Sequence, residues 1–236
     1  MTTCSGRLND MEALRETANR AVRAVWLGRI RYDQALALQR EAAGRVAAVE
    51  QETFFLLEHE PVFTLGRNAT ASDILFTPER CRQLGIEVRE TDRGGKVTYH
   101  GPGQIVGYPV LNLAPDRRDV KRYVKDLEEV LIRALADFGI SAGRSALAER
   151  VTSVWVCNDK IAAIGVHISR WITTHGFALN VTDEPLENFR GIVPCGIADG
   201  GVTSMERVLG RRVSIDEVAI TIRARFAEVF GRDIIA

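Results

Sequence analysis

The sequence predicts an α+β fold, a mixed β-sheet flanked by helices, and three observations carry that expectation. Apolar segments of strand character come in runs broken by helical segments, rather than in strict strand–helix alternation. Two long segments, Tyr32 to Val49 and Val120 to Phe138, repeat apolar residues at helical spacing. No internal repeat, low-complexity tract or linker-like Gly/Ser/Pro run divides the 236 residues. Residues 21–236 therefore read as a single domain behind a polar, partly helical extension at residues 1–20.

The elements follow in order. Ala21 to Leu27 suits a strand. Within Tyr32–Val49, the apolar set Ala35, Leu36, Leu38, Ala42, Val46 and Val49 defines a helix. Thr53–Leu57 and Val62–Leu65 are short strands around Pro61, and Gly66 ends the second. Thr77 followed by Pro78 reads as an N-cap and first helical position, opening a short helix that stops at Gly85. Ile86–Glu90 is a strand, and Ile105–Leu113 another, in which Pro109 implies an edge or bulge position because proline cannot donate to a ladder. Val120–Phe138 ends at Gly139, a good helix stop. Val151–Cys157 and Lys160–Ser169 flank Asn158-Asp159, which predicts a tight hairpin with Cys157 facing Lys160 across the turn. Gly176–Val181 is a further strand. A loop rich in Gly and Pro runs from Gly191 to Gly201, and Thr203–Leu209 and Ser214–Phe230 close the chain as helices.

Charge and composition remove several function classes. Lys plus Arg and Asp plus Glu are 31 each, so no net field draws the chain to nucleic acid or to an anionic membrane. No stretch approaches the ~20 apolar residues of a membrane span, and no signal peptide is evident, so a cytoplasmic location is expected. The four cysteines, Cys4, Cys81, Cys157 and Cys195, are far apart and form no Cys-x-x-Cys pair, which argues against disulfides and structural zinc. His59, His100, His167 and His175 show no metal-ligand spacing, so no metal is expected.

Nucleotide motifs fail as well. Gly101-Pro-Gly-Gln-Ile-Val-Gly107 has one residue too many for a dinucleotide fingerprint and precedes a strand rather than a helix. Gly95-Lys96 lacks the upstream glycine and the Ser/Thr of a phosphate loop. The glycines at 94, 95, 101 and 103 still let backbone approach a ligand closely. The plainer alternative is two turns around a short strand, Lys96–Tyr99. Arg93, Lys96, Tyr99 and His100 crowd into the same segment, as binding groups on loops do.

Cys195 lies between Pro194 and Gly196 in a loop, outside any apolar periodic segment, which favours a reactive thiol over a buried packing residue. Cys157 is its rival, by virtue of the neighbouring Lys160. An ammonium near a thiol favours the thiolate, and the apolar run Ile161–Ile164 could partly desolvate Lys160 and make it a proton shuttle.

Four motifs, Arg93-Gly-Gly-Lys-Val-Thr-Tyr-His-Gly-Pro-Gly-Gln104, Lys160-Ile-Ala-Ala-Ile-Gly165, His175-Gly-Phe-Ala-Leu-Asn180 and Val193-Pro-Cys-Gly196 followed by Val202-Thr-Ser204, resemble those of the lipoyl(octanoyl) transferases in order and spacing. The resemblance runs from about Ala21 to the C-terminal helix. It implies a fold like that of biotin and lipoate protein ligases. The implied reaction moves an octanoyl group from octanoyl-acyl carrier protein to a lysine of a lipoyl domain. The implied acceptors are lipoyl domains of 2-oxoacid dehydrogenase complexes and the glycine cleavage H protein. The resemblance maps the acyl-thioester cysteine onto Cys195 and its tuning lysine onto Lys160, leaving Cys157 a structural role. It maps substrate contacts onto Arg93, Gly94, Gly95, Lys96, Val97, Thr98, Tyr99 and His100, onto Ala163, Ile164 and Gly165, and onto Gly176, Phe177 and Ala178. No cofactor is implied, because the donor is already a thioester. His167 departs from the pattern where Arg or Lys is expected. The competing readings are an ATP-dependent lipoate ligase, which would leave Cys195 unexplained, and a non-catalytic acyl-binding module, which would be free to lose Lys160 or Cys195.

Overall fold

A computed structural model describes residues 21–114, 117–144, 152–193 and 201–235. The extension expected at 1–20 lies outside these residues, as do Pro194, Cys195 and Gly196.

The large sheet takes its shape from segments that are apolar on both faces. In β2 (Glu52–His59), Phe54 and Leu56 point to one side while Phe55 and Leu57 point to the other, and all four are buried. Such a strand needs cover on both faces. Helix α1 (Tyr32–Ala47) covers one, packing Ala35, Ala42 and Val46 on Phe55, Leu57 and Val106. Helices α3 (Val120–Asp137) and α5 (Ile215–Phe230) cover the other, with Leu127, Leu131, Ile222 and Phe226 against Phe54 and Leu56. Phe226 stacks between Phe54 and Phe230, at centroid distances of 4.2 and 4.4 Å.

Among the described residues this sheet has eight strands. The others are β1 (Ala21–Ile30), β6 (Gln104–Val110), β7 (Gly143–Arg144), β8 (Ser153–Val156), β9 (Asp159–Ser169), β10 (Ile172–Asn180) and β11 (Asp233–Ile235). Their order is β11-β1-β2-β6-β10-β9-β8-β7, parallel between β11, β1 and β2 and antiparallel beyond. A second sheet of three strands sets β3 (Val62–Leu65) between β4 (Glu87–Glu90) and β5 (Val97–His100). Its core gathers Phe63, Cys81, Ile86, Val97, Tyr99 and Ile192. The short helices α2 (Pro78–Gln83) and α4 (Met205–Leu209) complete the set. Thr77 caps α2 by accepting the Arg80 N–H, with Pro78 in the first turn as expected.

Three expectations need correction. Pro109 is not on an edge, since β6 lies between β2 and β10 in the interior of the sheet. Extending the β6–β10 register by two residues puts His175 opposite Pro109, and there the ladder is replaced by side-chain bonds. The Pro109 carbonyl accepts from the Thr173 hydroxyl at 2.7 Å, and the His175 N–H turns away to Gln39 Oε1 of α1 at 2.6 Å. The hairpin turn also falls one residue earlier than expected. Val156 pairs with Asp159, so Cys157 and Asn158 form the turn, Cys157 has φ 52°, and Trp155 rather than Cys157 stands opposite Lys160. Finally, Lys160–Ser169 and the strand expected from Gly176 are halves of one hairpin, closed by Arg170-Trp171. Both turn residues have positive φ, 48° and 67°, as a two-residue turn of matching twist requires. The Trp171 carbonyl accepting the Leu113 N–H at 2.8 Å helps hold it.

The C-terminal strand is tied to β2 by a buried ion pair. Glu52 accepts from Arg232 at 3.0 Å and from the Asn112 N–H at 2.8 Å, and both side chains are 5% exposed. Removing one partner of such a pair strands the other charge. Arg232→Met should therefore destabilise the protein by about 3–5 kcal/mol in urea titration. A loss below about 1 kcal/mol would mark the pair as solvent-screened.

Candidate active site

A cavity of about 550 Å³ opens between the two sheets. Its floor is the large sheet at two cross-strand pairs, Ala163↔Ala178 and Gly165↔Gly176, where β9 and β10 present almost no side chain. Gly176 is required by the sheet itself, because a Cβ there would sit 2.1 Å from the Gly107 carbonyl oxygen. The roof is β5 and the loop before it. Arg93 pins that loop, donating to the Thr64 carbonyl at 2.7 Å and its hydroxyl at 2.8 Å, with a third bond to the Gly94 carbonyl at 3.0 Å. The Gly94 N–H bonds the Val166 carbonyl at 2.9 Å, so the glycine loop docks on β9. Gly66 has to lack a Cβ for this loop to pack, since Gly95 O would lie 2.5 Å from it.

Lys160 lines one end of the cavity. Its backbone is held on a second side by the chain after the Gly/Pro-rich loop. The Lys160 N–H donates to Gly201 O, and its carbonyl accepts from the Thr203 N–H, both at 2.9 Å. The ammonium lies 5.3 Å from the centroid of Trp155, a cation–π distance. Ile192 and Val202, which flank residues 194–200, also line the cavity.

A buried hydrogen-bond network supports the walls. His100 Nδ1 lies 2.6 Å from Gln104 Oε1, Gln104 Nε2 donates to Asn180 Oδ1 at 2.9 Å, and Asn180 Nδ2 donates to Thr203 O at 3.0 Å. His59 Nδ1 donates to the Ile30 carbonyl at 3.1 Å, and its Nε2 accepts from the Tyr108 hydroxyl at 2.8 Å. Desolvation dominates the titration of these groups. Burial lowers His59 to about 4 and His100 well below the ordinary histidine value, and it raises Tyr32 and Tyr108. His175 is also lowered by burial, against the pull of Asp92, so these imidazole and phenol groups are uncharged at neutral pH.

The structure brings Arg93, Gly94, Gly95, Lys96, Val97, Thr98 and His100 to this cavity with Lys160, Ala163, Ile164 and Gly165, and with Gly176, Phe177 and Ala178. Tyr99 is not among the lining residues. It is 1% exposed against Phe63 and Phe189, with Asn188 bonded to its hydroxyl at 2.9 Å. Cys195 lies outside the described residues. Cys157 is exposed in its turn. Sequence reasoning missed Tyr32, Asn68, Tyr108 and Asn180 as lining residues, and it assigned His175, which also lines the cavity, no substrate contact. At His167, where the resemblance implies Arg or Lys, the ring Nδ1 accepts from Arg67.

The chain matches the family described as lipoyl protein ligase A/B catalytic domain over residues 31–227. It belongs to that family. It is 45% identical over 215 residues to an octanoyltransferase of Caldicellulosiruptor bescii, covering 90% of this chain and 93% of that one. An octanoyltransferase of Solibacter usitatus is 49% identical over 205 residues, covering 86% and 90%. Among solved structures, a lipoate-protein ligase A bound with ATP superposes with a TM-score of 0.73 at 18% identity, covering 92% of this chain and 90% of that one. A biotin protein ligase from Aquifex aeolicus in complex with biotin and ATP gives 0.56 at 14%, covering 89% and 70%. The lipoate and biotin ligase fold expected from the motifs is thus the observed one, and the family's curated members make this chain an acyltransferase.

The buried histidines set an acid limit. His59 titrates near 4 when folded and near 6.5 when unfolded, so the folded state binds fewer protons. Its contribution is complete above about pH 6.5 and is lost as pH falls through about 4, a total of roughly 3 kcal/mol at ~1.4 kcal/mol per pH unit. Urea midpoints measured across that window should fall steeply in the wild type and less steeply in His59→Gln. Equal slopes would show that His59 is not held neutral by burial.

Proposed function

We propose that this protein transfers an octanoyl group from octanoyl-acyl carrier protein to the side-chain amine of a lysine on a lipoyl domain, through a thioester on Cys195 with Lys160 as the proton carrier. Lipoyl domains of 2-oxoacid dehydrogenase complexes and of the glycine cleavage H protein are the proposed acceptors. One observation carries the reading: Lys160 sits at the end of a small-floored cavity, and both flanks of the Cys195 segment line the same cavity. The names of the relatives supply the acyl group.

In the first half-reaction the Cys195 Sγ attacks the carrier thioester carbonyl. Lys160 accepts the thiol proton and returns it to the departing carrier thiolate. In the second, the acceptor amine attacks the acyl-enzyme carbonyl, the Cys195–acyl bond breaks, and Lys160 takes the amine proton and passes it to the departing Cys195 thiolate. The cavity floor and roof present backbone within which the chain can lie. The neutral histidines and tyrosines of the walls cost an apolar chain less than charged groups in their place would.

The covalent step is tested by mixing the protein with octanoyl carrier protein alone, without ATP, and mapping the acylated residue by mass spectrometry. Acyl on Cys195, and none on the Cys195→Ala variant, is expected. Acylation of Cys157 or of no cysteine would overturn the thioester. Activity on free octanoate that needs ATP and ignores the carrier protein would establish the ligase reading instead.

The role of Lys160 has its own test. Lys160→Met removes the charge at similar volume, so Cys195 alkylation by iodoacetamide should shift to higher pH by about one unit or more. The other three cysteines would be replaced to isolate the signal. Superimposable profiles would leave Lys160 without influence on the thiol.

A further inference from the structure

The end of the cavity away from Lys160 is built differently from the rest. On β9, Lys160 and Gly165 are five residues apart, about 16 Å at ~3.3 Å per residue. At the far end the glycine loop closes onto Val166, and His175 of β10 pairs with that same residue. Three aromatic side chains from three separate elements converge here: Tyr32 at the start of α1, Tyr108 on β6 and His175 on β10. All three line the cavity and are nearly inaccessible to bulk solvent.

We propose that Tyr32, Tyr108 and His175 form a rigid end wall that sets the length of the acyl chain this enzyme accepts. The proposal rests on the reading that the chain lies in this cavity with its carbonyl toward Lys160.

Rigidity follows from how the three are joined. The Tyr32 hydroxyl donates to Thr91 Oγ1 at 2.9 Å, and Thr91 Oγ1 lies 3.5 Å from His175 Nε2. The same Nε2 bonds Asp92 Oδ1 at 2.9 Å. Tyr108 meets His175 edge to face at 6.1 Å, and its hydroxyl is held by His59, whose ring is 5.3 Å from that of Tyr32. An aliphatic wall would yield by changing rotamers, whereas this one would have to break hydrogen bonds in a buried site, at about 1–3 kcal/mol for each group left unsatisfied.

His175 is placed there against its backbone preference. Phe177 and Leu179 of β10 face the α3/α5 side, and strand alternation would put His175 with them. Its φ of 58° instead carries the ring to the α1 side, beside Tyr108 and Asp92. A non-glycine residue in that region costs of order 1–3 kcal/mol and persists only where its surroundings dictate it. Gln39 supplies the constraint by accepting the His175 N–H at 2.6 Å, while its own Nε2 is buried without a hydrogen-bond partner. Gln39 is thus a positioning residue for the wall. The strand distance from Lys160 to Val166, about 20 Å, keeps His175 out of the proton transfers.

The test is self-acylation of the full chain by hexanoyl, octanoyl, decanoyl and dodecanoyl carrier protein, followed by mass spectrometry for wild type, Tyr32→Ala and Gln39→Leu. Wild type should react best with octanoyl and fall away sharply at decanoyl. Tyr32→Ala should raise the dodecanoyl-to-octanoyl ratio about tenfold or more, the scale of a few methylenes gaining or losing space. Gln39→Leu, which removes an orphaned donor and touches no cavity surface, should relax the same ratio in the same direction. It serves as the readout if Tyr32→Ala does not fold. A wild-type profile that is flat from octanoyl to dodecanoyl, or variants that keep the wild-type profile, would overturn the wall while leaving the acyl-enzyme reading intact. Absence of acylation by every donor in the wild type would instead remove that reading and the proposal with it.

Discussion

A sheet covered by helices on both faces has no space for a ligand unless some of its residues decline to fill it. Here the space depends on β9 and β10 matching small residue to small residue, alanine 163 against 178 and glycine 165 against 176. A Leu-sized side chain at Ala163 would contribute about 1.5–3 kcal/mol by burial. The fold forgoes that stabilisation where the cavity lies and recovers it on the opposite face of the same strands. There Ile164, Phe177 and Leu179 pack into the larger core. The two-residue period of a strand makes this division possible. One face can be optimised for packing and the other for vacancy without either sequence interfering with the other.

The walls obey a second constraint. Their polar groups are nearly all satisfied by one another, and burial holds the histidines neutral and the tyrosines protonated. In a low-dielectric site a satisfied network is stiff, whereas a half-satisfied one would be costly. The link from Gln104 through Asn180 to the Thr203 carbonyl runs on to Lys160 through the Thr203 N–H. The alignment of the lysine strand and that of the roof are therefore parts of one bonded system. Pro109 belongs to the same economy. Its missing N–H leaves His175 without a ladder donor from β6, and His175, still paired with Val166 of β9, turns its ring toward Tyr108.

Much of this was legible in the sequence, and the failures have physical causes. The helices were plain because their apolar spacing and caps agree, as with Thr77 and Pro78. The Arg170-Trp171 turn was not, because it reaches positive φ without Gly, Asn or Asp and is held by tertiary contacts such as that with Leu113. Pro109 misled because a local rule about edges cannot see a partner strand that gives up its own bonds. At the site, three glycine- and alanine-rich segments converge on one cavity, in the places that the family resemblance implied. Tyr99 is buried in the small-sheet core beside Phe63 and Phe189 and does not line the cavity, a placement set by packing between elements. Tyr32 and Tyr108 carry no motif. They come to the cavity through the crossing of α1 over the sheet, which no local pattern encodes.

The attachment of the segment around Cys195 gives the proposed chemistry its geometric basis. On its N-terminal side the Val193 N–H bonds Asp73 O at 2.8 Å, and Ile192 bridges Ile74, so the chain is fixed to the small-sheet side of the cavity. On its C-terminal side the Gly201 N–H bonds the Asp159 carboxylate at 2.9 Å, and Val202 bridges Lys160 in parallel, fixing it to the large sheet. A Cβ at Gly201 would stand 2.5 Å from Asp159 Oδ1, so the carboxylate would have to shift to admit one. The described residues on either side of 194–200 are therefore held by different parts of the fold, and Ile192 and Val202 both line the cavity. One of these anchors is the backbone of Lys160, the proposed proton carrier. Precise placement of a thiol and an amine needs each to be tied to something rigid. In this fold a displacement of residues 201–203 relative to Lys160 would have to break the bonds that join them to β9.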